Sequence, residues 1–234
     1  HDQVRKRNIA GVGHHDAIVE DVTGLRKVRV GRRLLDPILP AVRLAGLEPS
    51  DLELHLGAPV AALLGASKAA FSPLPDKYYG AGCSTLGTVQ LSALKSDDAK
   101  LALSNLGPVT CPLAETFAGW ARFGADRAAQ QILGSPIVRI ETMGSYSCRN
   151  VAGSERRSAH ATAGAIDVSG FVLADGRRIT VSGNWHDPSP QVRQFFATIQ
   201  ASACKRFGTV LGPAYNAAHA DHLHLELSGN AFCR

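Results

Sequence analysis

The stretch His219-Ala220-Asp221-His222-Leu223-His224-Leu225-Glu226-Leu227 decides how the rest of the chain is read. From His222 onward polar and apolar residues alternate, the pattern of a half-buried β-strand. Alternate side chains on a strand point to opposite faces, so His222, His224 and Glu226 share one face and Leu223, Leu225 and Leu227 the other. The leucine face is expected to meet the core. Two imidazoles on the opposite face add nothing to packing and mark a candidate site.

A second segment complements the first. In Ser158-Ala159-His160-Ala161-Thr162-Ala163-Gly164-Ala165-Ile166-Asp167-Val168, Asp167 lies inside an apolar run that reads as a strand. A buried carboxylate is costly unless it is paired or bound to a cation. Two histidines and an aspartate from separate segments would leave one open position on a tetrahedral ion, as catalytic zinc sites do. Glu226, on the face of His224, reads mainly as a residue of the sheet rim and secondarily as a partner of that histidine. His186 and the pair His14-His15 stand outside any pattern and receive no role.

Working outward, Ile137 to Met143 predicts a strand. Asp167 to Leu173, a turn at Asp175-Gly176 and a return from Arg177 to Val181 predict a hairpin. Cys111-Pro112 opens a predicted helix with Leu113, Phe117, Trp120 and Gly124 at helical spacing, and a second helical piece runs from Ala125 to Leu133. Ser189-Pro190 opens another, with Val192, Phe195, Phe196, Ile199 and Ala203 as its apolar stripe. Thr88 to Leu91 and Leu101 to Leu103 read as short strands, and Leu211 to Asn216 as a loop. The expected class is α+β: a small antiparallel sheet flanked by helices and carrying the metal site.

Residues 1–80 read as an N-terminal extension of uncertain fold and residues 81–234 as the domain proper. Within the extension, Val28 to Leu35 suggests a strand and Gly57 to Ala70 a helix. The chain has 234 residues, 45% hydrophobic and 19% charged, which suits a globular protein and excludes wholesale disorder. No apolar run reaches the ~20 residues that span a bilayer. The chain begins at His1 with no signal-peptide pattern, as expected of a processed or truncated form.

The net charge of +5 gathers early, in Arg5-Lys6-Arg7 and around Arg26 to Arg33. No nucleic-acid-binding module accompanies it, so a solvated basic face is expected and nucleic acid is not an expected partner. Five cysteines, Cys83, Cys111, Cys148, Cys204 and Cys233, include no CxxC pair. Two disulfides with one free thiol would suit an oxidising compartment; buried free thiols are the other reading. Cys111, Cys148 and Cys233 sit at expected element ends, where bridges are common. The pairing stays open.

Ser158-x-His160-x(3)-Gly164-x-Ile166-Asp167 followed by His222-x-His224 resembles the metallopeptidase superfamily of lysostaphin, the D-Ala-D-Ala peptidases and hedgehog. The resemblance is closer to the bacterial extensin-like C-terminal domain family over residues 83–234. Gly144 to Arg149, Ser158 to Ala161, Ala165 to Val168, and Leu211-Gly212-Pro213 running to His224 carry that likeness, in order. The resemblance implies a Zn²⁺ site with His160, Asp167 and His224 as ligands, His222 as an uncoordinated catalytic imidazole and His219 as a further active-site histidine. It also implies a substrate-anchoring role for Arg149, for which a surface salt bridge is the alternative. Ser158 would orient His160 or simply shape a turn. The implied activity is hydrolysis of amide bonds in peptidoglycan peptides, in the periplasm or outside the cell; the alternative is an inactive zinc-containing wall- or glycan-binding module. The oligomeric state is not legible.

Overall fold

The structure is a computed structural model that describes residues 69–97, 100–227 and 231–234, together with the backbone of two short strands, β1 (Ile18–Glu20) and β2 (Lys27–Arg29). These two pair antiparallel within a first compact unit, His1–Leu47, and the second unit spans Glu48–Arg234. Arg5-Lys6-Arg7, His14-His15 and most of the predicted Val28–Leu35 strand and Gly57–Ala70 helix lie outside the described residues.

The second unit is α+β, and its main sheet is larger than expected, with ten strands rather than a few. The strands are β3 (Ala70–Pro73), β6 (Thr88–Lys95), β7 (Lys100–Ser104), β8 (Val109–Thr110), β9 (Ile137–Gly144), β10 (Ala165–Leu173), β11 (Arg178–Thr180), β12 (Thr209–Leu211), β13 (Leu223–Glu226) and β14 (Phe232–Cys233). Their order is β14-β12-β13-β10-β9-β7-β6-β3, with β11 beside β10 and β8 beside β6. The sheet is mixed: β7 runs parallel to β9, and β12 to β14, among otherwise antiparallel neighbours. Residues 70–73 already belong to this sheet. A separate hairpin joins β4 (Lys77–Gly80) to β5 (Cys83–Thr85).

The predicted Asp167 hairpin is present as β10 and β11, but β10 does not alternate uniformly. Asp167 pairs with Gly144, Val168 with Thr142 and Gly170 with Glu141, so Met143 is an extra residue on β9 and Ser169 an extra residue on β10. A bulge of this kind shifts which residues face which side. Ile166 and Val168 point into the core ahead of Ser169, and Phe171 and Leu173 do so after it. Asp167 is thereby left on the opposite face. Gly144, across from Asp167, has φ +111°, a backbone conformation that a side chain would strain.

Helix α1 (Cys111–Trp120) takes Pro112 in its first turn and continues through π-helical turns Ala121–Asp126 and Ala129–Leu133 to Gly134. The expected break after Gly124 is not there. Gly124 instead allows close helix contact: a Cβ at that position would meet Ser202 Oγ. A short helix α2 (Val181–Asn184) precedes α3 (Pro190–Cys204), whose Ser189 cap accepts from the Val192 amide as its sequence predicts.

Trp120 joins the layers. Fully buried, it donates its Nε1–H to the Ile199 carbonyl at 3.0 Å and packs against Phe117, Phe171 and Phe207. Truncating a buried tryptophan costs about 3–5 kcal/mol. In a domain of this size that lowers Tm by about 6–20 °C, which a thermal melt of Trp120→Ala will read directly.

Cys83 bonds to Cys148 and Cys204 to Cys233, with Cα separations of 5.5 and 5.8 Å. Cys111, a candidate for bridging because it sits at a helix start, is a free buried thiol whose pKa burial pushes up. Two disulfides fit an oxidising compartment. No described helix is long and apolar enough to cross a membrane.

Candidate metal centre

The register between β10 and β13 builds the site. Asp167 lies directly opposite His224, flanked by the pairs Ile166 with Leu225 and Val168 with Leu223. The four apolar residues of these flanking pairs are fully buried, so hydrophobic burial fixes the register and the register fixes the polar pair. Leu227 falls beyond the strand end and is 39% exposed, so the leucine face is one residue shorter than the alternation predicts.

His160 arrives from a 3₁₀ turn, Ala159–Thr162, whose cap Ser158 accepts from the His160 amide. Ser158 therefore shapes the turn that carries the histidine. The His160 Nδ1–H donates to the Ser145 carbonyl at 3.1 Å, which turns Nε2 inward. Nε2 then lies 3.2 Å from His224 Nδ1 and 3.2 Å from Asp167 Oδ2, while His224 Nδ1 lies 2.9 Å from Asp167 Oδ1. Donors ~2.0–2.1 Å from a tetrahedral ion are separated by about 3.3 Å. The spacing of these three groups matches that requirement, and all three are buried.

The surrounding groups complete the pattern found around metal-bound histidines, whose second nitrogen donates to a carbonyl or carboxylate. His160 uses the Ser145 carbonyl. His224 uses Glu226, whose Oε2 is 3.2 Å from Nε2, so Glu226 is this histidine's partner rather than only a rim residue. Ser145 could not be found in the sequence, because its backbone oxygen makes the contact. His160, Asp167 and His224 thus form a buried group that could hold a metal ion.

Charge in the cluster follows from these contacts. Burial opposes ionisation of Asp167, but hydrogen bonds with His160 and His224 prevail and hold its carboxyl far below the usual carboxylate range. Burial likewise disfavours a charged His224, yet its bonds to Asp167 and Glu226 outweigh that and lift it to about 9. Positive charge is favoured between the two carboxylates, and a divalent cation competes with a proton for that place.

The other expected residues gather around this group. His222 is buried, with Nε2 3.5 Å from Asp167 Oδ1 and Nδ1 2.8 Å from Asp221 Oδ1. His219 stacks at 5.1 Å from His222 and 5.9 Å from His224, with Nδ1 held by Asn216 Oδ1 at 2.7 Å. Burial, then repulsion from His222 and His224 with a further contribution from Arg149, lowers His219 to about 4, so it is neutral near pH 7. Arg149 is exposed, close enough for its charge to be felt at His219, and without an ion-pair partner among the described residues. The salt-bridge reading of Arg149 therefore finds no partner there. His186 is exposed on the segment after α2, as its lack of pattern implies.

The model of the family described as "Extensin-like protein C-terminus" matches residues 60–234. The chain belongs to the extensin-like C-terminal family. The match begins ahead of residue 83, the start of the likeness read from the sequence, and takes in the β3 strand of the main sheet. No curated protein and no solved structure matches this extensin-like chain.

Proposed function

We propose that this extensin-like domain is a zinc-dependent hydrolase of amide bonds in the peptides of the bacterial cell wall. The observation that carries the reading is the convergence of His160 Nε2, His224 Nδ1 and Asp167 at ion-coordinating distances, with an uncommitted imidazole nitrogen of His222 beside them. Two imidazoles and one carboxylate are a zinc-type donor set, distinct from the all-oxygen shells of magnesium and calcium. Bound zinc polarises a carbonyl and brings the pKa of water down to about 7.

The protein's own groups supply the remaining work. His222 Nε2 would take a proton from an attacking water and return it to the leaving amine, the work of a general acid–base imidazole. His219, neutral near pH 7, offers a hydrogen-bonding ring without adding charge beside the site. Arg149, exposed and unpaired among the described residues, suits a peptide carboxylate or carbonyl. The substrate class is supported by the resemblance of Ser158-x-His160, Ile166-Asp167 and His222-x-His224 to wall-directed metallopeptidases. An exported location is supported by the disulfides.

The test is metal analysis of the purified full chain, with incubation against isolated peptidoglycan and mass spectrometry of what is released. Zinc at about one ion per chain with new peptide termini is expected. Zinc with no fragments would replace the hydrolase by a wall-binding module, and no zinc would end both.

A further inference from the structure

The main sheet splits beside the metal centre, and the split leaves a groove. Strand β6 pairs with β7 through residues 93–95 and with β8 through residues 88–89. Residues 90–92 between them pair with no described strand on that side. The chain from β7 to β8 loops around the gap instead, and Gln90 donates its Nε2–H to the Leu106 carbonyl at 2.7 Å. The groove measures about 620 Å³, within the ~300–1,000 Å³ usual for small-molecule sites. Its opposite wall, residues 143–146, is shared with the metal centre. Gly144 pairs with Asp167, and the Ser145 carbonyl takes the His160 Nδ1–H.

No charged side chain lines this groove. Leu103, Leu106 and Met143 offer apolar contact. Gln90 spends its N–H donors on the Leu91 and Leu106 carbonyls and keeps its Oε1 to accept. Asn105 is exposed, and its amide has no hydrogen-bond partner among the described residues. Tyr146 supplies an aromatic ring, packed against Tyr79 at 5.2 Å, and the Cys83–Cys148 disulfide ties the two segments together. A ring held in place before binding costs less to order. We propose that the groove is a saccharide subsite, taking an uncharged N-acetylated sugar of the wall glycan beside the peptide that the metal centre would cut. Hydroxyls and an acetamido group match the amides of Gln90 and Asn105, and the apolar face of a pyranose ring matches Tyr146 and the leucines. A peptide carboxylate finds no cation in the groove; Arg149, three residues beyond Tyr146, stands outside it. The link to a cut peptide rests on the hydrolase reading above, and sugar binding does not.

Met143 gives the test its reporter. It is the chain's only methionine and is 50% exposed at the groove, so a full chain labelled with ¹³C-methyl methionine carries one signal there, assigned by Met143→Leu. Titration with the tetramer of N-acetylglucosamine is expected to move that signal to saturation, with zinc present or removed. An acetylated and amidated tetra-alanine peptide is expected to leave it in place. Tyr146→Ala and Asn105→Gly should each weaken sugar binding by about 2–10-fold. Asn105 has φ +60°, which glycine adopts freely, so the second variant does not strain the fold. A signal that the sugar leaves unmoved, or a Kd that neither variant changes, overturns the proposal. A signal moved by the peptide and not by the sugar makes this a peptide subsite and overturns it equally. Sugar binding without fragment release from any preparation removes the hydrolase reading and keeps the subsite; fragment release with Met143 silent does the reverse.

Discussion

Asp167→Asn is expected to abolish metal binding while leaving the sheet in place. The substitution keeps volume and hydrogen-bonding capacity at a position paired in register with His224, so β10 and β13 keep their alignment. It removes the negative charge that His160 and His224 both approach. Loss of groups outside the coordination sphere costs about 10–100-fold in affinity, and loss of a ligand costs more than that. The cleanest reading is linkage. A ligand at 100 times its Kd stabilises the folded state by about 2.7 kcal/mol, so zinc should raise the melting temperature of the unmodified chain and leave that of Asp167→Asn where it was. An equal zinc-induced rise in both would show that the ion binds elsewhere.

His222→Ala is expected to separate binding from turnover. His222 is a neighbour of the metal group and not one of its three members, so zinc content and the zinc-induced thermal shift should persist. Removal of a general acid–base group lowers turnover by about 10²–10⁴-fold. Because the substrate anchor proposed at Arg149 is untouched by this change, the loss should appear in kcat rather than KM. Loss of zinc in this variant would make His222 a ligand, and undiminished fragment release would remove it from the mechanism.

The site was more legible in the sequence than the sheet that carries it. His222, His224 and Asp167 stand out because polar groups on predicted strands must be paired to be tolerated, and that rule is local. His160 needed the spacing Ser158-x-His160-x(3)-Gly164-x-Ile166-Asp167, since a histidine among small residues has no periodic signal. The edges of the sheet were missed for a different reason. Strands such as β8, β12 and β14 have two or three residues, too few for alternation to register, and exist through pairing with β6 and β13 or with each other. The π-helical run after Trp120 was also missed, because Gly124 reads as a break until Ser202 is seen against it.

The extra residue at Ser169 has a consequence for what this strand tolerates. Ahead of it, β10 is in phase with β13 and holds Asp167 toward the histidines; after it, the strand is in phase with the helices and holds Phe171 against Phe195 at 5.3 Å. The two stretches can therefore be tuned separately, since a change in one need not rotate the other. A chain shorter by that single residue would have to choose between keeping its acid aimed at the two imidazoles and keeping its aromatic ring out of water.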